Sequence, residues 1–286
     1  MTNIIQLSEH ARQLYGTDIV SEVATITPEC ATQWLRANKN NRPVRRRHVA
    51  FLASEILAGN WQLNGQAIVI SEDEQVLDGQ HRLMAIIESG RQIRTMVVYG
   101  VDKEAFKTID TGAVRTGADA LALEFPEASI GTMKAAATAV GWCKRLECGK
   151  LAHSAKIGNT ETIRYVTEHP SLVRCIEQVS AYPHEARPLS IACGAALLEV
   201  FSRRSSDLAE DFIHKLYTGE NITRDDVEYL LRQALIRDAQ SRSKLPGAAR
   251  MRMACKAWNH RRRGIPGATA RVIQLRPEDP AEVKIL

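Results

Sequence analysis

Residues 78–82, with the sequence Asp-Gly-Gln-His-Arg, combine side chains and backbone features that can bind phosphate. They follow a strand-like run at 67–70 and precede an apolar helical pattern that begins at Leu83. Glycine lets an anion approach the backbone, the first amides of a helix have no internal partner, and arginine can hold phosphate with a planar fork of donors. The spacing therefore predicts a phosphate-binding turn. An alternative stays open, in which Asp78 caps the helix and Arg82 pairs with a nearby carboxylate.

Each residue of this turn has a predicted role. The amides of Gly79, Gln80 and His81, with the guanidinium of Arg82, would bind the phosphate of a nucleotide. His81 could move a proton and Asp78 could act as a base or metal ligand, so both are candidate catalytic residues. His81 could equally point inward and hold the strand-to-helix junction through one hydrogen bond.

A second candidate site lies at residues 110–116, with the sequence Asp-Thr-Gly-Ala-Val-Arg-Thr. Asp110 could bind a divalent cation or a ribose hydroxyl, which makes it a candidate catalytic residue. Thr111, Arg115 and Thr116 could bind phosphate. The same pattern is also ordinary turn chemistry, in which Asp110 bonds to local amides and Thr116 caps the next helix.

The first turn resembles the signature of the ParB/sulfiredoxin superfamily, and more narrowly its DGQHR-type branch, which is found in many phage and prophage proteins. The resemblance covers roughly residues 20–120 and includes 57–61 (Leu-Ala-Gly-Asn-Trp), 64–65 (Asn-Gly) and 109–112 (Ile-Asp-Thr-Gly). It implies a small α/β domain whose glycine turn binds nucleotide phosphates, either for phosphoryl transfer or as a CTP-driven clamp switch. Sulfiredoxin carries its reactive cysteine at the position of Gln80, so sulfinic-acid repair is not expected here. The turn also differs from that of ParB clamps, so CTP specificity does not transfer.

Composition agrees with a cytoplasmic globular protein that does not enter a membrane. Of the 286 residues, 44% are hydrophobic and 25% are charged. No apolar run approaches the roughly 18 residues that span a bilayer, and the N-terminus lacks a signal-peptide pattern. The six cysteines are spread over helical patterns without zinc-finger spacing, so we expect reduced thiols and no structural metal.

Positive charge is concentrated in one stretch of the chain. Residues 240–276 contain ten lysines and arginines and no acid, and without them the net charge of +5 would be −5. A second basic cluster begins a predicted helix near residue 46. Clustered cations on an otherwise acidic chain are typical of a polyanion partner, which predicts nucleic-acid binding. The alternative is a solvated surface. The predicted DNA-binding residues are Arg45, Arg46, Arg47, Lys256, Arg261, Arg262 and Arg263.

Periodicity predicts an α+β fold with two domains. Residues 20–122 should form the ParB/sulfiredoxin-like α/β domain, with strands near 67–70 and 94–99 and few strands in total. Residues 126–286 should form a helical domain that carries the basic stretch, and a short strand at 270–275 or a mobile tail follows it. The predicted helices of that domain are 129–147, 160–168, 170–181, 189–204, 206–218, 223–240 and 247–263.

These observations support two functions. The first is a DNA-associated nucleotide- or phosphate-binding protein of ParB-like type, encoded by a phage or prophage. The alternative is an enzyme of phosphoryl transfer or phosphodiester cleavage, meaning a phosphotransferase, NTPase or nuclease that acts on DNA or nucleotides. A nucleoside triphosphate with Mg²⁺ is the cofactor that the resemblance implies. A homo-oligomer is compatible with the sequence, which names neither the nucleotide nor a DNA sequence.

Overall fold

The computed structural model describes residues 19–37, 44–104, 116–152, 156–183, 187–276, 279 and 282–286. Over these ranges the chain has an α+β fold with one small mixed sheet and eleven helices, which confirms the predicted fold class. The chain divides into two compact units, Met1–Val114 and Arg115–Leu286. The helix Gly117–Glu124 therefore belongs to the second unit, whereas the sequence placed the end of the first domain at residue 122.

The first unit contains a four-stranded sheet, whose strands in spatial order are β1 (Val20–Ile26), β4 (Ile93–Val101), β2 (Ala67–Ser71) and β3 (Val76–Asp78). Strand β4 runs antiparallel to β1 and parallel to β2, and β2 and β3 form an antiparallel hairpin. Three helices pack with the sheet around a core that includes Ile26, Ile68, Leu83 and Val97. The elements are β1 (Val20–Ile26), α1 (Pro28–Ala37), α2 (Arg46–Leu57), β2 (Ala67–Ser71), β3 (Val76–Asp78), α3 (Gln80–Ser89) and β4 (Ile93–Val101).

Two of these strands were not predicted from the sequence. In β1 a polar residue, Glu22, shares the more buried side of the strand and an apolar one, Val23, faces outward, so the alternation of hydrophobic residues is lost. Glu22 is accommodated because the Tyr99 hydroxyl donates a hydrogen bond to its Oε1 at 3.1 Å. Strand β3 has only three residues, which is too short for a recognisable period.

In the part of the second unit that the structure describes, every regular element is a helix. Helix α8 (Ile191–Ser202) lies at its centre and is buried on almost every face, as its apolar composition predicts. Trp258 of α11 is also buried, stacked on Phe201 with the ring centroids 4.3 Å apart. The helices are α4 (Gly117–Glu124), α5 (Ile130–Glu147), α6 (Asn159–Glu168), α7 (Ser171–Ser180), α8 (Ile191–Ser202), α9 (Ser206–Thr218), α10 (Val227–Gln240) and α11 (Gly247–Arg262).

After α11 the chain forms a 3₁₀ turn at Ala270–Val272, so the short strand predicted at 270–275 is wrong. Lys256 fixes this segment because its ammonium donates hydrogen bonds to the Gln274 carbonyl and the Asp279 carboxylate. Among the described residues, no helix has the length and apolar character needed to cross a bilayer.

Candidate functional site

Gly79 joins β3 to α3 in a conformation that only glycine adopts readily. Its φ is +101°, and a Cβ atom at this position would lie 2.9 Å from Cγ1 of Ile68. The turn therefore packs tightly on β2, and the glycine at the start of α3 is required by backbone and packing together. Helix α3 has neither a side-chain cap nor an acidic residue in its first turn, so its first amides keep the partial positive charge of a helix N-terminus.

The guanidinium of Arg82 forms hydrogen bonds with other groups of the protein. Its Nη2 lies 2.6 Å from Oδ2 of Asp78, and its Nη1 donates to the Gln66 carbonyl at 2.9 Å. The Arg82 side chain is only 12% exposed. Of the two arrangements that the sequence left open for Arg82, the pairing with a nearby carboxylate is therefore the one observed. A phosphate role for Arg82, and a catalytic role for Asp78, stay predictions that require this pair to separate.

His81 is buried, with 7% of its surface exposed, and it holds two helices together. Its Nε2 accepts a hydrogen bond from the backbone amide of Arg45 at 3.1 Å. An accepting Nε2 carries no proton, so this contact selects the neutral tautomer with the proton on Nδ1. The His48 ring lies beside it, with centroids 5.3 Å apart. The geometry shows the junction-holding role of His81, and proton transfer by this side chain stays a prediction.

The contact between Arg45 and His81 brings together two segments that the sequence analysis treated as separate sites. Helix α2 begins at Arg46, and its first turn contains no acidic residue and no side-chain cap. Arg45, Arg46 and Arg47 are exposed and form no ion pair with any residue that the structure describes. Two uncapped helix N-termini and three unpaired arginines therefore lie at one junction, which we call the α2–α3 junction.

This arrangement is electrostatically unfavourable without an anion. A helix N-terminus carries about half a positive charge, and cations are normally found at the opposite end. The three arginines instead stand at the positive end of α2, next to the positive end of α3. Gln80, the first residue of α3, has a buried Oε1 atom without a hydrogen-bond partner among the residues that the structure describes. This oxygen is an acceptor, so it would take a donor of a ligand and not the anionic oxygens of a phosphate.

Of the second candidate site, residues 110–116, the structure describes only Thr116. Asp110, Thr111 and Arg115 lie outside the described residues, so their predicted roles are untested. Thr116 caps α4 in a reciprocal capping box with Asp119: its hydroxyl accepts from the Asp119 amide, and its own amide donates to the Asp119 carboxylate at 2.8 Å. The capping interpretation of Thr116 is therefore the arrangement observed.

Two of the predicted DNA-binding residues in α11 form ion pairs within the second unit. Lys256 contacts Asp279 at 3.0 Å. Arg261 contacts Asp211 at 3.0 Å and Glu228 at 3.3 Å, and the Glu228 side chain is only 2% exposed. Burial raises the pKa of Glu228, and the charge of Arg261 opposes that shift. Lys256 and Arg261 are therefore paired with acids of the same unit in this structure, and a contact of either with DNA stays a prediction.

Arg262 and Arg263, at the end of α11, do remain exposed. The Arg262 guanidinium lies 5.9 Å from the centre of the Trp258 ring, which is otherwise enclosed by protein. Trp258 is thus a core residue rather than a surface for stacking nucleobases. The exposed cations of the helix are confined to its C-terminal end.

The sequence analysis missed a charged network inside the helical unit. Arg203 donates hydrogen bonds to Glu199, Glu147 and the Tyr165 hydroxyl, and Glu199 is almost fully buried. A signal for it was present, because Glu199 is the one acid in the apolar run 191–201 and stands four residues before Arg203. Within the described residues, no group of three or more potential ligands could hold a metal ion.

Comparison of the chain with protein-family models, with curated proteins and with solved structures finds no match. The resemblance to the ParB/sulfiredoxin superfamily therefore depends on the residues quoted above, and function has to be argued from the geometry of the junction.

Proposed function

We propose that the first unit binds the phosphate group of a nucleotide or of DNA at the α2–α3 junction. The observation that carries this proposal is the contact of 3.1 Å between the Arg45 amide and His81, which places the uncapped starts of two helices side by side. Phosphate is the anion that such a site suits best, since it can accept bonds from several amides and from guanidinium groups at once.

The three exposed arginines supply the charge that Arg82 does not supply in this structure. Arg45, Arg46 and Arg47 are consecutive, so they project in different directions around the start of α2. A phosphate at the junction would be approached by some of them, and the others would extend the positive surface outward. This suits a nucleotide with several phosphates or the backbone of DNA better than a single small anion.

We further propose that the protein is a DNA-associated, nucleotide- or phosphate-binding protein of ParB-like type, encoded by a phage or prophage and acting in the cytoplasm. The resemblance of residues 78–82 to the ParB/sulfiredoxin signature supports the binding of a nucleotide. The ligand that it implies is a nucleoside triphosphate with Mg²⁺. Binding to DNA is supported by the exposed arginines at the start of α2, Arg45, Arg46 and Arg47, and by Arg262 and Arg263 at the end of α11. These five cations are fewer than the ten of the basic stretch, so the expected affinity for DNA is moderate and salt-dependent.

Phosphoryl transfer or phosphodiester cleavage is the alternative function, and binding is favoured over it by two contacts. The Asp78 carboxylate, which would serve as base or metal ligand, is paired with Arg82. The Nε2 atom of His81, which would move a proton, accepts the Arg45 amide. A binding function requires only donors, and the junction offers those.

The proposal is tested by titrating the protein with nucleoside triphosphates, pyrophosphate and inorganic phosphate, with and without Mg²⁺, by calorimetry. The test variant replaces Arg45, Arg46 and Arg47 with Ala. Its control replaces Arg36, Arg91 and Arg94, three other exposed arginines of the same unit, and so removes the same charge. We expect the test variant to lose at least about tenfold in affinity, because one charge-assisted hydrogen bond contributes about 1.5–3 kcal/mol.

Equal affinities of the test and control variants would show that binding follows net charge and not the junction. If the wild type binds none of these probes and does not bind DNA at low salt, the proposal is wrong. A phosphate-release assay on the same samples distinguishes the enzyme, since the binding function predicts no release above that of the buffer.

A further inference from the structure

A cavity of about 410 Å³ lies in the second unit, between α7, α8 and the start of α9. This volume is within the range of small-molecule sites, about 300–1,000 Å³. The cavity is open to solvent on one side, and its wall consists mostly of polar and charged residues. It contains the hydroxyl groups of Ser171, Ser202 and Ser206, together with charged side chains of both signs.

The two carboxylate oxygens of Glu199, in this wall, differ in their hydrogen-bond partners. Its Oε1 accepts two hydrogen bonds from Arg203, at 2.9 and 3.2 Å. Its Oε2 has only the thiol of Cys175, with the sulfur 3.7 Å away. Burial, followed by the charge of Glu199, raises the pKa of Cys175 to about 12, so the thiol stays protonated and acts as a donor. A thiol is a weak donor, and Glu199 is only 3% exposed, so a buried anionic oxygen lacks a strong partner.

The opposite charge is also present in the cavity wall. Arg174 of α7 forms no ion pair with any residue that the structure describes. It is close enough to Cys175 for its charge to lower the pKa of that thiol, against the larger effects of burial and of Glu199. The wall therefore contains a buried acceptor that lacks a strong donor, and an exposed guanidinium that forms no ion pair with a described residue.

We propose that this cavity binds a small α-amino acid. The ammonium group would donate to Oε2 of Glu199, and the carboxylate would accept from Arg174. An ammonium offers three charged donors, which is what a buried carboxylate oxygen requires and what a thiol cannot supply. The serine hydroxyls can both donate and accept, and so can contact either group or a polar side chain of the ligand. The site lies wholly in the second unit and does not depend on the phosphate site proposed above.

Each of the standard amino acids can be tested individually against the full-length protein by ligand-detected NMR and calorimetry. The best binder is then compared with two analogues, one without the ammonium group and one without the carboxylate. We expect both analogues to bind at least about tenfold more weakly, because each lacks one charge-assisted hydrogen bond. If no amino acid binds at millimolar concentration, or if the analogue without the ammonium group binds equally well, the proposal is overturned.

Two substitutions of Cys175 distinguish ligand binding from structural stabilisation. In Cys175→Ser a hydroxyl becomes a stronger donor to Glu199 and competes with the ammonium group, so affinity should fall severalfold. In Cys175→Ala the donor is removed, so affinity should be equal to or higher than that of the wild type. Cys193→Ser, outside the cavity wall, is the control and should leave affinity unchanged. Thermal unfolding shows that each variant is folded; equal effects of the Ser and Ala substitutions on affinity would refute the assignment of Glu199.

Discussion

The backbone amide of Arg45 donates a hydrogen bond to Nε2 of His81 at 3.1 Å, across 36 positions of sequence. This contact joins the starts of α2 and α3, because Arg45 immediately precedes the first and His81 lies in the first turn of the second. A histidine that could have been a proton donor is thereby a structural acceptor. The arginines that follow Arg45 are held beside the glycine turn, and the two together form the proposed phosphate site.

Replacing His81 with Phe should destabilise the first unit by about 1–2 kcal/mol. The ring volume is nearly retained, but the Arg45 amide loses its acceptor in a partly buried position. Urea denaturation followed by circular dichroism measures the effect. Arg45→Ala is the matched control, since it keeps the backbone amide and should change stability by less than about 0.5 kcal/mol. Similar losses in both variants would mean that the Arg45 side chain, and not its amide, makes the important contact.

Gly79→Ala should be more damaging than an ordinary change of glycine in a loop. The substitution places a Cβ at φ +101° and within 2.9 Å of Ile68, so conformational strain adds to overlap. We expect a loss of about 2 kcal/mol or more in the free energy of unfolding. Gly65→Ala, where a Cβ meets nothing within 4 Å, should cost much less. Equal values for the two variants would show that the backbone of the turn relaxes.

The sequence predicted the phosphate-binding pattern of residues 78–82, the amphipathic helices and the small size of the sheet. These features depend on local composition and on periods of a few residues. The strands β1 and β3 were missed because one mixes polar and apolar residues on both faces and the other has three residues. Sheet membership in both cases is decided by distant partners, such as the pairing of Val23 with Met96.

The ion-pair partners of the charged side chains could not be predicted from the sequence, because they too are distant along the chain. Arg261 pairs with Asp211, which is 50 positions away, and Lys256 pairs with Asp279, 23 positions away. A stretch of sequence without acids looks like a free basic surface until the fold brings acids from other helices to it. The hydrogen bond between Arg45 and His81 could not be predicted either, because these residues are 36 positions apart in the sequence. The sequence alternatives did include a pairing of Arg82 with a nearby carboxylate, but they assigned Asp78 to capping the helix, whereas Asp78 is the carboxylate that pairs with Arg82.

Arg82→Ala should lower stability in addition to any effect on ligand binding. The substitution leaves the Asp78 carboxylate and the Gln66 carbonyl without the donors that this structure gives them. We expect a loss of about 1–2 kcal/mol in the free energy of unfolding, since the pair is mostly shielded from water. Arg91→Ala, an exposed arginine just beyond the other end of α3, serves as the control. If Arg82→Ala weakens phosphate binding without a loss of stability, then Arg82 acts on the ligand and leaves Asp78 when phosphate binds.

Asp226, at the start of α10, should make folding of the second unit sensitive to acid. Hydrogen bonds from the amide and hydroxyl of Thr223, at 2.6 and 3.0 Å, hold the pKa of Asp226 below its ordinary value of 3.8, against a smaller effect of burial. Its stabilising effect is therefore fully present above pH 3.8 and is lost as the pH falls through the lower folded value. The stability difference between wild type and Asp226→Asn should be constant near neutral pH and should shrink below that point. Asp225→Asn, at the neighbouring exposed position, is the charge-matched control.

The basic end of α11 should divide into structural and DNA-contacting residues. Arg261→Ala removes the countercharge of buried Glu228 and should cost about 2 kcal/mol or more in stability. Arg262→Ala with Arg263→Ala should leave stability nearly unchanged but should lower the salt dependence of DNA binding, by about one unit of slope for each phosphate contact that is lost. Titration of duplex and single-stranded DNA over a salt series measures that slope, with Arg164→Ala and Arg224→Ala together as the charge-matched control. If the double variant at the end of α11 keeps the wild-type slope, these arginines do not contact phosphate. If the wild type does not bind DNA even at low salt, nucleic acid is not its partner.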